Sequence, residues 1–77
     1  MITSRQIRAG RALLNWTQQQ VADAAIVSLN AVRRLENEEG DPRVSTVLAV
    51  EKALRKAGIE FLPEEGVRIA QLPKKSR

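Results

Sequence analysis

A mainly α fold is predicted for this 77-residue chain: a compact helix-turn-helix bundle of four to five helices with a short C-terminal β-hairpin. Three observations predict it. Helix-start signatures recur at Thr3, Thr17 and Ser28. The run Thr17–Glu36, TQQQVADAAIVSLNAVRRLE, reads as two short amphipathic helices separated by only about three turn residues, Ala25–Val27. Finally, Ile59–Leu62 and Val67–Ala70 alternate apolar and polar residues around Pro63-Glu64-Glu65-Gly66.

The first helix is expected from about Ser4 to Leu14. Thr3 and Gln6 match the S/T-x-x-E/Q capping box, in which each supplies a hydrogen bond to the other's backbone, and Ile2 and Ile7 hold the staple positions around it. Ile7, Gly10, Arg11 and Leu14 share one face, where Gly10 permits close packing at some cost in helix propensity. The second helix starts at Thr17 by the same device, with Gln20 completing the box and Trp16 and Val21 the staple. Ser28 caps the third helix, and Val27 and Val32 are its staple. Gly40, Asp41 and Pro42 form a turn. Ser45 to Ala57 then reads as a fourth helix with Val47, Leu48, Val50, Leu54 and Ala57 as its apolar positions and Gly58 as its stop. The hairpin turn suits a type I geometry closed by a glycine at positive φ.

On the third helix, at ~100° per residue from Val32, the residues Ser28, Ala31, Val32 and Leu35 gather toward the core. Asn30, Arg34 and Asn37 fall nearly opposite, with Arg33 on the flank. This exposed face carries amides and guanidinium groups, where an ordinary solvated helix carries a Glu/Lys mixture. Asn pairs bidentately with adenine and Arg with guanine, and either holds a phosphate, so a helix lying in the major groove favours these types. A solvated polar face on an αα-hairpin also accounts for the same residues.

Gln18, Ala22, Val27, Val32, Leu35 and Glu36, followed by Gly40, Pro42 and the Val47–Leu54 helix, resemble the phage-repressor type of helix-turn-helix, the lambda-repressor-like Cro/CI or XRE family. The resemblance covers roughly Ile2 to Ala57. It implies a sequence-specific double-stranded DNA-binding transcriptional regulator of bacterial or phage type, acting as a homodimer on a palindromic operator, with recognition helix 28–37 in the major groove. It also implies that Ala22 lets the two motif helices approach, that Gln18 holds a phosphate, that Leu29, Asn30, Arg33 and Arg34 include readers of bases or flanking phosphates, and that Asn37 touches the backbone. Thr17, Ser28 and Arg43 complete the expected contact set. The family pairs the positions of Arg11 and Glu36, so a structural ion pair between first and third helices is expected. The family usually has Gly where this chain has Ile26, because φ there is positive. Either the turn is rebuilt or the strain of a β-branched residue is carried.

Charge is segregated. Residues 1–35 hold five Arg and one Asp, residues 36–51 one Arg and five acids, and residues 52–77 seven basic and three acidic residues. Separated basic surface suits a polyanion, since neutralising phosphates releases counterions. With no Cys and no His, the common zinc and redox sites and the most versatile general base are missing, so no metal, no cofactor and no enzymatic role are expected. No apolar run approaches the ~20 residues of a membrane span, and Met1–Leu14 lacks the apolar stretch of a signal peptide, so a cytoplasmic protein without a membrane partner is expected.

Three regions follow: 1–58 as the DNA-binding domain, 59–70 as the hairpin, and 71–77 as a basic tail able to add a phosphate contact. Two strands alone are marginal in water and their edges invite pairing. The hairpin is therefore expected either to fold onto the fourth helix or, through Ile59, Phe61, Val67 and Ile69, to form a dimerisation face. A different class of function stays open, an antitoxin or anti-activator whose main partner is another protein.

Overall fold

The computed structural model describes residues 1–70, so the basic tail expected at 71–77 lies outside the described residues. Four helices and one hairpin follow in order: α1 Ser4–Leu13, α2 Gln18–Ala25, α3 Leu29–Glu36, α4 Val44–Lys56, β1 Ile59–Leu62 and β2 Gly66–Ile69. Both capping boxes form. Thr3 accepts from the Gln6 N–H while the Gln6 side chain accepts from the Thr3 N–H, and Thr17 and Gln20 repeat the exchange. The Ser28 hydroxyl accepts from the Ala31 N–H at 3.0 Å. Each side chain thus satisfies a donor that the first turn of a helix leaves without a partner. α4 begins one residue before the expected start, with Arg43 at its N-cap and no side-chain cap.

Ile7, Val21, Ala22, Val32, Leu35, Val47, Val50, Leu54 and Ile59 form the core, drawn from every helix and from β1. Removing these apolar groups from water supplies the main stabilising term in a chain with only two aromatic residues. Leu48, expected among the apolar positions of α4, is instead 50 % exposed, and Ala53 takes a core position. Ser28 is exposed as well, since its hydroxyl faces the end of its own helix.

The hairpin belongs to this core. Its antiparallel register pairs Ile59 with Ile69, Glu60 with Arg68, Phe61 with Val67 and Leu62 with Gly66. Ile59 is 2 % exposed and packs close to Gly10 of α1, where a Cβ would stand 3.4 Å from the Ile59 Cγ2. The apolar face, expected either to fold onto the fourth helix or to serve dimerisation, is turned inward. Phe61 and Val67 pack against the core, and only Ile69, at 42 %, stays outside. Gln6 secures the arrangement: it is 5 % exposed, and its Nε2 donates to the carbonyls of Leu62 at 3.1 Å and Gly66 at 3.0 Å.

The hairpin turn differs from the expected type I. Glu64 and Glu65 take φ of 60° and 64°, and the Gly66 N–H donates to the Pro63 carbonyl at 3.3 Å, the pattern of a primed turn whose twist matches the strands. Space at Gly66 is tight: a Cβ there would meet the Leu62 Cβ at 3.1 Å, so the neighbour would have to shift by a few tenths of an ångström.

Candidate nucleic-acid interface

The turn between α2 and α3 sets the pose of the candidate recognition helix. Ile26 lies in the left-handed region at φ 58° and ψ 50°, so the strain expected of a side chain at the family's glycine position is carried and the turn is not rebuilt. The conformation brings the Ile26 N–H to the Asp23 carbonyl and the Val27 N–H to the Ala22 carbonyl at 3.0 Å, which satisfies the end of α2 and leaves Ser28 placed to cap α3 two residues later. Ala22 of α2 is 1 % exposed and belongs to the core.

α3 buries Val32, Leu35 and Glu36 and exposes Asn30, Arg33 and Arg34, with Asn37 exposed just beyond its end. Thr17, Ser28 and Arg43 are exposed too, while Gln18 and Leu29 are half-buried. Among the described residues no carboxylate pairs with Arg33, Arg34 or Arg43, whereas Arg5, Arg11, Arg55 and Arg68 each have one. The unpaired guanidinium groups on and beside α3 keep their donors for an external acceptor, and phosphate and guanine are the acceptors their planar fork fits. Arg34 does not stand straight out from the helix. A Cβ built on Gly40 would meet its Nη2 at 2.9 Å, so the guanidinium lies over the loop after α3, where Gly40 at φ +64° leaves room.

Behind this face sits the expected ion pair. Glu36, 2 % exposed, accepts from Arg11 Nε at 2.7 Å and Arg11 Nη2 at 3.1 Å, and from Gln18 Nε2 at 3.0 Å. The remaining Arg11 nitrogen, Nη1, donates to the Trp16 carbonyl at 3.1 Å. A buried carboxylate held by a fork and an amide ties α1, the start of α2 and the end of α3 into one body. Gln18 thus gives one amide hydrogen to Glu36 and has a second left over.

Two contributors were missed by the sequence. Arg8 Nη1 donates to the Glu36 backbone carbonyl, completing the last turn of α3. Glu38 follows at φ 56° and accepts from the Ser4 hydroxyl at 2.6 Å, fixing the exit of α3 against α1. Both contacts join residues about 30 positions apart and leave no local signature.

Among the described residues no helix is long and apolar enough to cross a membrane, and no group of three His, Cys, Asp or Glu is placed to hold a metal ion. A family model described as helix-turn-helix matches residues 7–61, most of the described fold. No curated protein matches the chain.

Proposed function

Since the chain belongs to the helix-turn-helix family of the Cro/CI (XRE) type, a family of DNA-binding transcriptional regulators and not of enzymes, we propose that it acts as a homodimer on a palindromic operator with α3 in the major groove of each half-site. The observation that carries this is the exposed face of α3, where among the described residues Asn30, Arg33 and Arg34 have no carboxylate partner. Asn30, near the leading end of the helix, reads a base edge together with Leu29 and Arg33. Arg34, lying over the loop at Gly40, meets the flanking backbone, as do Thr17, Gln18, Ser28, Asn37 and Arg43. The backbone contacts fix register, and the base contacts supply discrimination.

One observation favours a protein partner instead: Ile26 is 90 % exposed, an apolar side chain offered to solvent at the turn of the motif. Selection of bound duplexes from fragmented genomic DNA, followed by affinities at two salt concentrations, separates the two. A regulator enriches one palindromic site and loses affinity with a log–log slope of about −0.9 per phosphate contacted. Absence of enrichment, with a shallow slope, would refute the operator.

A further inference from the structure

The hairpin's apolar face is consumed by the core, and that moves the question of how two copies meet to α4. Val44 is 57 % and Leu48 50 % exposed, one helical turn apart on the side of α4 that faces away from Val47, Val50 and Leu54. Extended by one further turn, the same stripe reaches Lys52, which is exposed. Net charge differs between the two ends of α4. In the chain entering it, exposed Glu38, Glu39 and Asp41 outweigh Arg43 at the N-cap, and in its last turns exposed Lys52, Arg55 and Lys56 outweigh Glu51, which pairs with Arg55 at 2.7 Å.

We infer that the Val44–Leu48 stripe is the dimer interface, closed by the same stripe of a second copy running antiparallel across a two-fold axis. This rests on the homodimer reading above. A surface that is acidic at one end and basic at the other is complementary to itself only when inverted, and a two-fold axis performs that inversion. Each acidic approach then meets the basic end of its partner, and the two helix dipoles oppose. The outer face of the hairpin offers nothing comparable. Glu60 and Arg68 already pair there at 2.7 Å, and of the opposite, apolar face Ile69 alone is exposed.

Two half-exposed aliphatic side chains per copy fall well short of the ~800 Å² per partner of a stable interface. The dimer is accordingly weak in free solution and is reinforced when both copies occupy one duplex, where each holds the other at high effective concentration. α4 follows α3 after only the segment 37–43, so the axis acts directly on the recognition helices.

The chain has no cysteine, so Leu48→Cys introduces a single thiol. Related by a nearby two-fold axis, two such thiols come within the ~7 Å Cα separation that a disulfide spans. The full chain carrying Leu48→Cys, and separately Ile69→Cys, is oxidised at rising protein concentration with and without the selected duplex. Leu48→Cys should give a covalent dimer at concentrations tenfold below those needed by Ile69→Cys. In sedimentation of the otherwise native chain, Lys52→Glu should weaken association at least tenfold, and adding Asp41→Lys should restore it. Preferential cross-linking through Ile69→Cys, or a single copy on the selected duplex, would overturn the interface while leaving DNA binding intact. Cross-linking through Leu48→Cys in a chain that selects no DNA sequence would support the interface and refute the operator alone.

Discussion

Stranding the Glu36 carboxylate should cost more than stranding the Arg11 guanidinium. The side chain of Glu36 is 2 % exposed and that of Arg11 25 %, so after Glu36→Leu the guanidinium still reaches water and the Trp16 carbonyl, whereas after Arg11→Met the carboxylate keeps only the Gln18 amide. Breaking a buried pair by removing one partner costs ~3–5 kcal/mol, and Arg11→Met belongs at the upper end of that range, Glu36→Leu at or below its lower end. A domain of this size has on the order of 4–12 kcal/mol in all. At ~4–8 °C per kcal/mol, Arg11→Met lowers the melting temperature by well over ~12 °C. The double replacement leaves no stranded charge. Its remaining losses are the donor to the Trp16 carbonyl and the acceptor of Gln18, at ~1 kcal/mol each, so it should lie within ~2 kcal/mol of the native chain. Thermal and urea unfolding of the four proteins give the coupling energy directly. Additive single effects, with a coupling below ~0.5 kcal/mol, or a loss smaller for Arg11→Met than for Glu36→Leu, would refute the assignment of burial and charge.

Three further outcomes follow from particular residues. Gln6→Ala leaves the Leu62 and Gly66 carbonyls without their side-chain donor and removes half of the first capping box, a loss of ~2–4 kcal/mol; hydrogen exchange should accelerate at the hairpin and first turn of α1 before it does in α2 and α3, and uniform acceleration would contradict a local anchor. Ile26→Asn relieves a left-handed strain of ~1–2 kcal/mol at a side chain that packs against almost nothing, so the melting temperature should rise; a fall would mean that Ile26 makes a stabilising contact. Asn30→Ala should relax preference at particular base pairs by ~1–3 kcal/mol, while Gln18→Ala and Asn37→Ala weaken all duplexes alike and reduce the salt slope; the reverse pattern, measured on a panel of single-base variants, would reassign the contacts.

The helices were legible because their starts are local events. A capping box joins residues three apart, and Thr3, Thr17 and Ser28 carry their partners with them. The Arg11–Glu36 pair was legible for a different reason, a charge on an otherwise apolar face with a family pattern to supply its partner. Periodicity failed at Leu48, because α4 buries only the side that meets its neighbours and an apolar residue on the other side reads the same. The hairpin was foreseen as strands, with folding onto the fourth helix as one of its two expected fates, but its anchoring to α1 was not foreseen. Alternation shows that one face is apolar, but what covers that face depends on Gly10 and Gln6, some 50 to 60 positions earlier. Positive φ at Glu64 and Glu65 was missed because glutamate is not a residue whose chemistry announces it.

The bonds from Gln6 to Leu62 and Gly66 also govern how the chain must come into being. A polypeptide leaves the ribosome N-terminus first, yet the side chain that caps α1 is fully partnered only by backbone made 56 to 60 residues later. Until Gly66 has emerged, Gly10 faces an empty groove and Ile7 and Leu54 are short of Ile59. Nascent chains arrested before Ile59 should therefore stay open to protease even though all four helices have been synthesised, and protection should arrive in one step once the hairpin can close. Such a result would make α1 and the hairpin one folding unit that matures together.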